Sequence, residues 1–173
     1  MKNISLTAKW FALLSLISGS IWIGSYLSRL FTVYGIFEGP DLVLRSFVNE
    51  QNISGILSSF LPVILTPFIS FIVMIVAFIL FIIISKINLK GNGWLFIILI
   101  GIVVTLPFEV YLMLIDYKII IALMSSSFDP NLVITLLGDR IKDLSSFPIV
   151  IVLTYISFFF FIVFKPLTKT KKI

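Results

Sequence analysis

The sequence predicts an all-α polytopic membrane protein: a bundle of four transmembrane helices with short amphipathic helices on its outer side. Three observations predict it. First, the 173-residue chain is 60% hydrophobic, against roughly 45–50% in a water-soluble domain, and its mean hydropathy is +1.19. Second, the excess is gathered into four runs about as long as the ~20 residues that cross ~30 Å of hydrocarbon. Third, charge alternates between the segments that separate these runs. Residues 1–10, 85–93 and 165–173 carry Lys2, Lys9, Lys86, Lys90, Lys165, Lys169, Lys171 and Lys172 and no acid. Glu38, Asp41, Glu50, Asp129, Asp139 and Asp143 fall in the other two connections. Cytoplasmic loops are enriched in Lys and Arg. The alternation therefore predicts one integral membrane domain over residues 1–173, with both termini cytoplasmic, in a plasma or bacterial inner membrane.

The first predicted helix covers about residues 10–37. Lys2 and Lys9 before an apolar run, with Ser18-Gly19-Ser20 behind it, have the outline of a signal peptide. The apolar run continues through Ile21–Gly24, however, so an uncleaved helix is expected. Ser20, Gly24 and Ser28 are spaced by four and form a candidate helix-packing face, because small side chains let another helix come close. Ser18, Trp22, Ser25 and Arg29 form a second stripe on roughly the opposite side. Gly39-Pro40 ends the helix. In residues 41–54, Leu44, Phe47 and Val48 fit one side of a short surface helix. Asn52-Ile53-Ser54 matches a glycosylation acceptor and is read as coincidence.

The second helix is expected over 56–85. Pro67 should kink it, and Thr66 and Ser70 are candidates to satisfy the freed carbonyl. Pro62 either adds a kink or occupies the first turn, with Ser58 or Ser59 near the cap. Gly91-Asn92-Gly93 makes a tight turn, so the second and third helices should be antiparallel neighbours. The third covers 94–117 or beyond, with Trp94 as an interfacial anchor, Pro107 as a kink and Lys118 in the headgroup layer. The second outer connection contains a clearer helix. Asp129 is a good N-cap and Pro130 a good first residue. Leu132, Val133, Leu136, Leu137, Ile141 and Leu144 then follow a helical period, with Asp139, Arg140, Lys142 and Asp143 on the polar side. The fourth helix spans 148–164.

Composition removes several chemistries. There is no Cys and no His, hence no disulfide, thiolate or imidazole metal site, and none of the usual haem or iron–sulfur ligands. No cofactor is expected. The net charge of +5 sits beside apolar runs, where it sets orientation and meets anionic headgroups rather than nucleic acid. No phosphate-cradling loop or nucleophile elbow occurs, so the chain is not expected to be an enzyme.

The one unusual residue is Glu109, deep within the third helix. A carboxylate there is costly unless paired, protonated or wetted. Thr105, Glu109, Met113 and Asp116 share a helical face, and Asp116 should reach the outer interface. Arg29 lies at comparable height and is the expected partner of Glu109. Tyr26, Tyr34 and Tyr111 are candidate donors. Glu109, Arg29, Asp116, Thr105 and Tyr111 thus form the candidate intramembrane polar site. It is either a structural ion pair fixing helix register, or a cavity that binds an ion or small polar solute. The leading functional expectation is a small non-catalytic membrane protein that acts through helix packing, as an accessory subunit or by self-association. Its partners are then the lipid bilayer and other membrane subunits or a second copy. The alternative is a channel- or transporter-like protein that uses the Glu109/Arg29 site.

Overall fold

The computed structural model describes residues 4–126, 128–143 and 147–168. In chain order the elements are α1 (Leu6–Tyr34), β1 (Phe37–Glu38), β2 (Val43–Leu44), α2 (Ile53–Ser58), α3 (Phe60–Ser85), a 3-10 turn (Leu89–Gly91), α4 (Gly93–Met124), α5 (Pro130–Lys142) and α6 (Phe147–Phe164). Four segments are long and apolar enough to cross a membrane: α1, the run Ile53–Ser85, α4 and α6.

Local chemistry explains where the helices begin and end. The Ser5 hydroxyl accepts a hydrogen bond from the Ala8 amide at 3.2 Å. This N-cap starts α1 at Leu6, ahead of the expected residue 10. At the other end the helix stops at Tyr34, where the Gly35 amide donates to the Phe31 carbonyl.

The chain then departs from expectation. No surface helix forms around Leu44, Phe47 and Val48. Instead β1 pairs antiparallel with β2, Phe37 opposite Leu44 and Glu38 opposite Val43. Gly39 and Leu42 take positive φ angles of 68° and 55° to close this ribbon, a conformation glycine adopts without steric cost. The Arg45 amide donates to the Ile36 carbonyl, and Arg45 Nε to the Phe37 carbonyl. These bonds absorb backbone groups that a helix would have paired internally.

Ser59 is the N-cap position of α3, so Pro62 sits in the first turn and breaks no helical hydrogen bond. Pro67 lies inside the helix. The Thr66 and Ser70 hydroxyls donate to the carbonyls of Pro62 and Thr66, not to that of Val63, which Pro67 releases. Lys86 ends the helix in the left-handed conformation at φ 49°. At the far side of the short loop, α4 runs to Met124, two turns past the expected end at 117. The Asp129 carboxylate accepts from the Asn131 amide at 2.9 Å and caps α5, with Pro130 first in the helix as expected. Leu144 of its apolar period lies outside the described residues.

The bundle has two apolar clusters stacked along its length. Near one end, Trp22, Phe71, Met74, Leu95, Ile98, Ile151 and Tyr155 are buried together. Near the other, Val33, Leu57, Ile64, Ile119, Val133 and Leu137 join α1, α2, α3, α4 and α5. Helix α1 packs along α3 over most of its length, whereas the backbones of α1 and α6 approach at few points. A Cβ placed on Gly19 would lie 3.1 Å from Met74 Sδ, which marks the close approach of α1 to α3. The Gly93 amide donates to the Leu167 carbonyl, so the start of α4 and the end of α6 meet. That end carries Lys9, Lys86, Lys90 and Lys165, all exposed. The ribbon, α2 and α5 occupy the opposite end with Glu38, Asp41, Glu50, Asp129, Asp139 and Asp143.

Candidate functional site

The inward stripe of α1 is the one read from the sequence: Ser18, Trp22 and Arg29 are buried. On α4, Thr105, Glu109 and Asp116 are buried on one face. Thus the two polar stripes expected to meet do point inward. Their pairing differs from the expectation. Arg29 Nη1 hydrogen-bonds and ion-pairs with Asp116 Oδ2, not with Glu109. The reason is register. Because α1 starts at Leu6 and α4 at Gly93, Arg29 and Asp116 both stand ~35 Å along their helices at ~1.5 Å per residue. Glu109 is two turns lower on α4. Asp116, expected at the outer interface, is covered by protein at its level of the bundle. It is 2% exposed, because α4 continues beyond it and α5 folds over it.

The third member of the cluster comes from α5. Arg140 Nε lies 3.2 Å from Asp116 Oδ1. A single carboxylate therefore holds two guanidinium groups, one from a long apolar helix and one from the amphipathic cap. The Arg29 guanidinium also sits over the Tyr26 ring, 4.6 Å from its centroid, where the ring face attracts a cation. Burial pulls the proton affinity of the Arg140 guanidinium down. Asp116, Tyr26 and Glu109 more than offset that, so its pKa stands above the ordinary value. Arg140 was expected on the polar side of α5. In fact it falls three residues after Leu137 and seven after Val133, both fully buried. This spacing puts it on the buried face and was the signal available in the sequence.

Glu109 is 2% exposed, and its Oε1 has no hydrogen-bond partner among the described residues. The Tyr26 hydroxyl and Arg140 Nη2 likewise close no hydrogen bond of full geometry, yet Tyr26 stands at hydrogen-bonding range of both Arg140 and Glu109 and the three groups interact electrostatically. A small cavity of about 20 Å³ touches Arg29, Asp116 and Arg140, roughly the room one water needs.

The remaining candidates lie apart. The Thr105 hydroxyl donates to the Gly101 carbonyl at 2.9 Å and lies 3.4 Å from the Tyr155 hydroxyl. Tyr111 does not face Glu109. It is exposed, and its hydroxyl donates to Asp143 Oδ2 at 2.7 Å, outside the cluster. Tyr34 is also exposed. Below the ion cluster, Trp22 packs on Tyr26, Phe71 and Tyr155 with ring centroids 5.1, 5.3 and 4.6 Å away. This aromatic layer separates the charges from the lysine-bearing half of the bundle.

Ser20, Gly24 and Ser28 lie on the outside of α1, exposed. A Cβ built on Gly24 would meet nothing within 4 Å. No group of three or more acidic side chains that could hold a metal occurs among the described residues. No protein-family model, curated protein or solved structure matches this chain.

Proposed function

We propose that this is a small, non-catalytic integral membrane protein that acts through lateral helix packing, as an accessory subunit or by self-association. The observation that carries the reading is the Ser20/Gly24/Ser28 face. It is the smooth side of α1, and no helix covers it among the described residues. Small-residue faces are where helices approach closely in lipid, since packing and not water exclusion drives their association. The Ser20 hydroxyl already donates to the Leu16 carbonyl at 2.9 Å, so covering it strands no donor. The Arg29–Asp116–Arg140 cluster supports the same reading. It spends the buried charges on joining α1, α4 and α5 to one another, which favours a rigid body with a working outer face. The lysine-bearing end is assigned to the cytoplasm of a plasma or bacterial inner membrane, with both termini there.

The absence of cysteine makes the test clean. Gly24→Cys introduces a single thiol on the proposed face, and Ile79→Cys one on an exposed site of α3. Crosslinking in membranes should give a dimer or a discrete heteromeric band from Gly24→Cys and not from Ile79→Cys. Native mass analysis that finds only a monomer with no co-purifying partner, and no preferential crosslink, would remove the reading.

A second reading, an ion or small-solute channel or transporter, is favoured by one observation: the unpartnered Oε1 of buried Glu109 beside Tyr26 and Arg140. Under it, Glu109→Gln changes flux in reconstituted vesicles while the protein stays folded. Unchanged flux in that variant would eliminate it.

A further inference from the structure

The lysine-bearing half of the bundle contains a cavity of about 160 Å³ enclosed by α1, α3, α4 and α6. Its walls are almost wholly apolar. Ala12, Met74, Phe81, Trp94, Ile98 and Phe158 mark its extent, and Tyr155 is at its floor beneath the aromatic layer. Apolar cavities of about 150 Å³ stay dry and take up hydrocarbon. From Trp94 to Ile102, both lining residues, the cavity follows α4 for ~12 Å at ~1.5 Å per residue. It is therefore an elongated slot along the helix axes.

The slot opens to one side. Among its lining residues the more exposed are Leu16 on α1 at 39% and Phe159 on α6 at 41%. These are two neighbouring helices whose backbones approach at few points, with Trp22 reaching Tyr155 across the gap above. The mouth therefore lies between α1 and α6, on the flank of the bundle and not on its polar ends.

Charge decides what fills it. Lys165 Nζ stands 5.9 Å above the ring of Trp94, at the rim. Lys9 is exposed one turn before Ala12. Lys86 and Lys90 lie in the loop at the same end. No Asp or Glu occurs before residue 38 or between residues 51 and 108, so nothing on the adjoining turns of α1, α3 or α4 opposes these cations.

We propose that this slot is a binding site for an anionic membrane phospholipid. One acyl chain enters between α1 and α6 and fills the apolar cavity, and the phosphate-bearing headgroup rests on Lys9 and Lys165. The occupant comes from the bilayer and not from water, because the mouth faces sideways and the cationic rim sits at the end of the bundle; the mass of the retained molecule separates a phospholipid from a free fatty acid. This inference rests on the reading that the bundle sits in a bilayer.

The test uses the full chain reconstituted into bilayers of equal phosphatidylglycerol and phosphatidylcholine, washed at alkaline pH, extracted in mild detergent and weighed by native mass spectrometry. The wild-type protein should remain in the bilayer fraction and carry one phospholipid, enriched in phosphatidylglycerol. Lys9→Gln and Lys165→Gln should each lower that enrichment by about fivefold, the effect of one cation near an anionic surface, while a lipid is still retained. Ala12→Phe, which fills the slot from α1, should abolish retention. No retained lipid, equal retention of the two lipids by the wild type, or full retention in Ala12→Phe would overturn the proposal. Loss of the protein from the bilayer fraction would instead refute the membrane reading, and this site with it.

Discussion

Replacing Asp116 by Asn keeps the side-chain shape and removes the only carboxylate that pairs directly with both Arg29 and Arg140. The side chains of the two arginines are 6% and 8% exposed, so bulk water cannot take over. Removing one partner of a buried ion pair costs about 3–5 kcal/mol, because an uncompensated charge stays behind. Here two cations are stranded by one substitution, and the upper part of that range is expected. At ~1.4 kcal/mol per tenfold, the folded-to-unfolded ratio falls by ~10³ or more. The assay is reversible unfolding in mixed micelles of mild detergent and dodecyl sulfate, followed by tryptophan fluorescence. Adding Arg140→Met to Asp116→Asn removes one stranded cation and should recover roughly half the loss. Substituting all three, with Met at 29 and 140 and Leu at 116, should come within about 1–2 kcal/mol of the wild type or exceed it. If Asp116→Asn lies within about 1 kcal/mol of the wild type, a far smaller cost than a broken buried pair exacts, the ion-cluster argument is wrong. The same follows if the double substitution is less stable than Asp116→Asn alone.

Glu109→Gln should cost less stability than Asp116→Asn, because both ion pairs of the cluster close on Asp116 and neither on Glu109; the same unfolding assay compares the two directly. Gly101→Val should destabilise by about 1–3 kcal/mol through overpacking, since a Cβ there would lie 2.7 Å from Phe158 Cζ where α4 meets α6; a neutral result would mean that this contact is not tight. Single cysteines at Thr168 and Asp139 should react with a membrane-impermeant maleimide from opposite sides of sealed vesicles. Labelling from one side would break the two-ended topology.

The fold was legible because composition and period act over many residues. Twenty apolar residues in a row, or a helical repeat capped by Asp129-Pro130, do not depend on any one contact. What was less legible lay at the ends. Ser5 and the run past Tyr117 shifted two helix boundaries by a turn or more, because a single cap bond or an added packing partner is enough to move them. The ribbon at Phe37–Leu44 was missed for a related reason. Leu44, Phe47 and Val48 fit a helical face, but Leu42 at φ 55° is a conformation that its side chain disfavours. Tertiary contacts hold it there, and no local pattern announces them.

Those boundary shifts decided the site. Counted from Trp10 and Trp94, Arg29 and Glu109 stand ~28 and ~22 Å along their helices at ~1.5 Å per residue, near enough to be expected as partners. Counted from the true starts at Leu6 and Gly93, the partner of Arg29 is Asp116. A two-turn error of ~10 Å at ~1.5 Å per residue is small for a fold and large for an ion pair, whose attraction requires near contact. The sequence contained the correction in α5. Val133, Leu137, Arg140 and Ile141 all recur on one face, and an arginine on a buried face implies a buried acid opposite it. Two arginines bound for the interior need more than one distant carboxylate's worth of solvation, and Asp116 is the acid that both can reach. With Asp116 so engaged, one carboxylate faces two guanidinium groups, and Glu109 is the second buried acid that acts electrostatically on both arginines without closing an ion pair with either among the described residues.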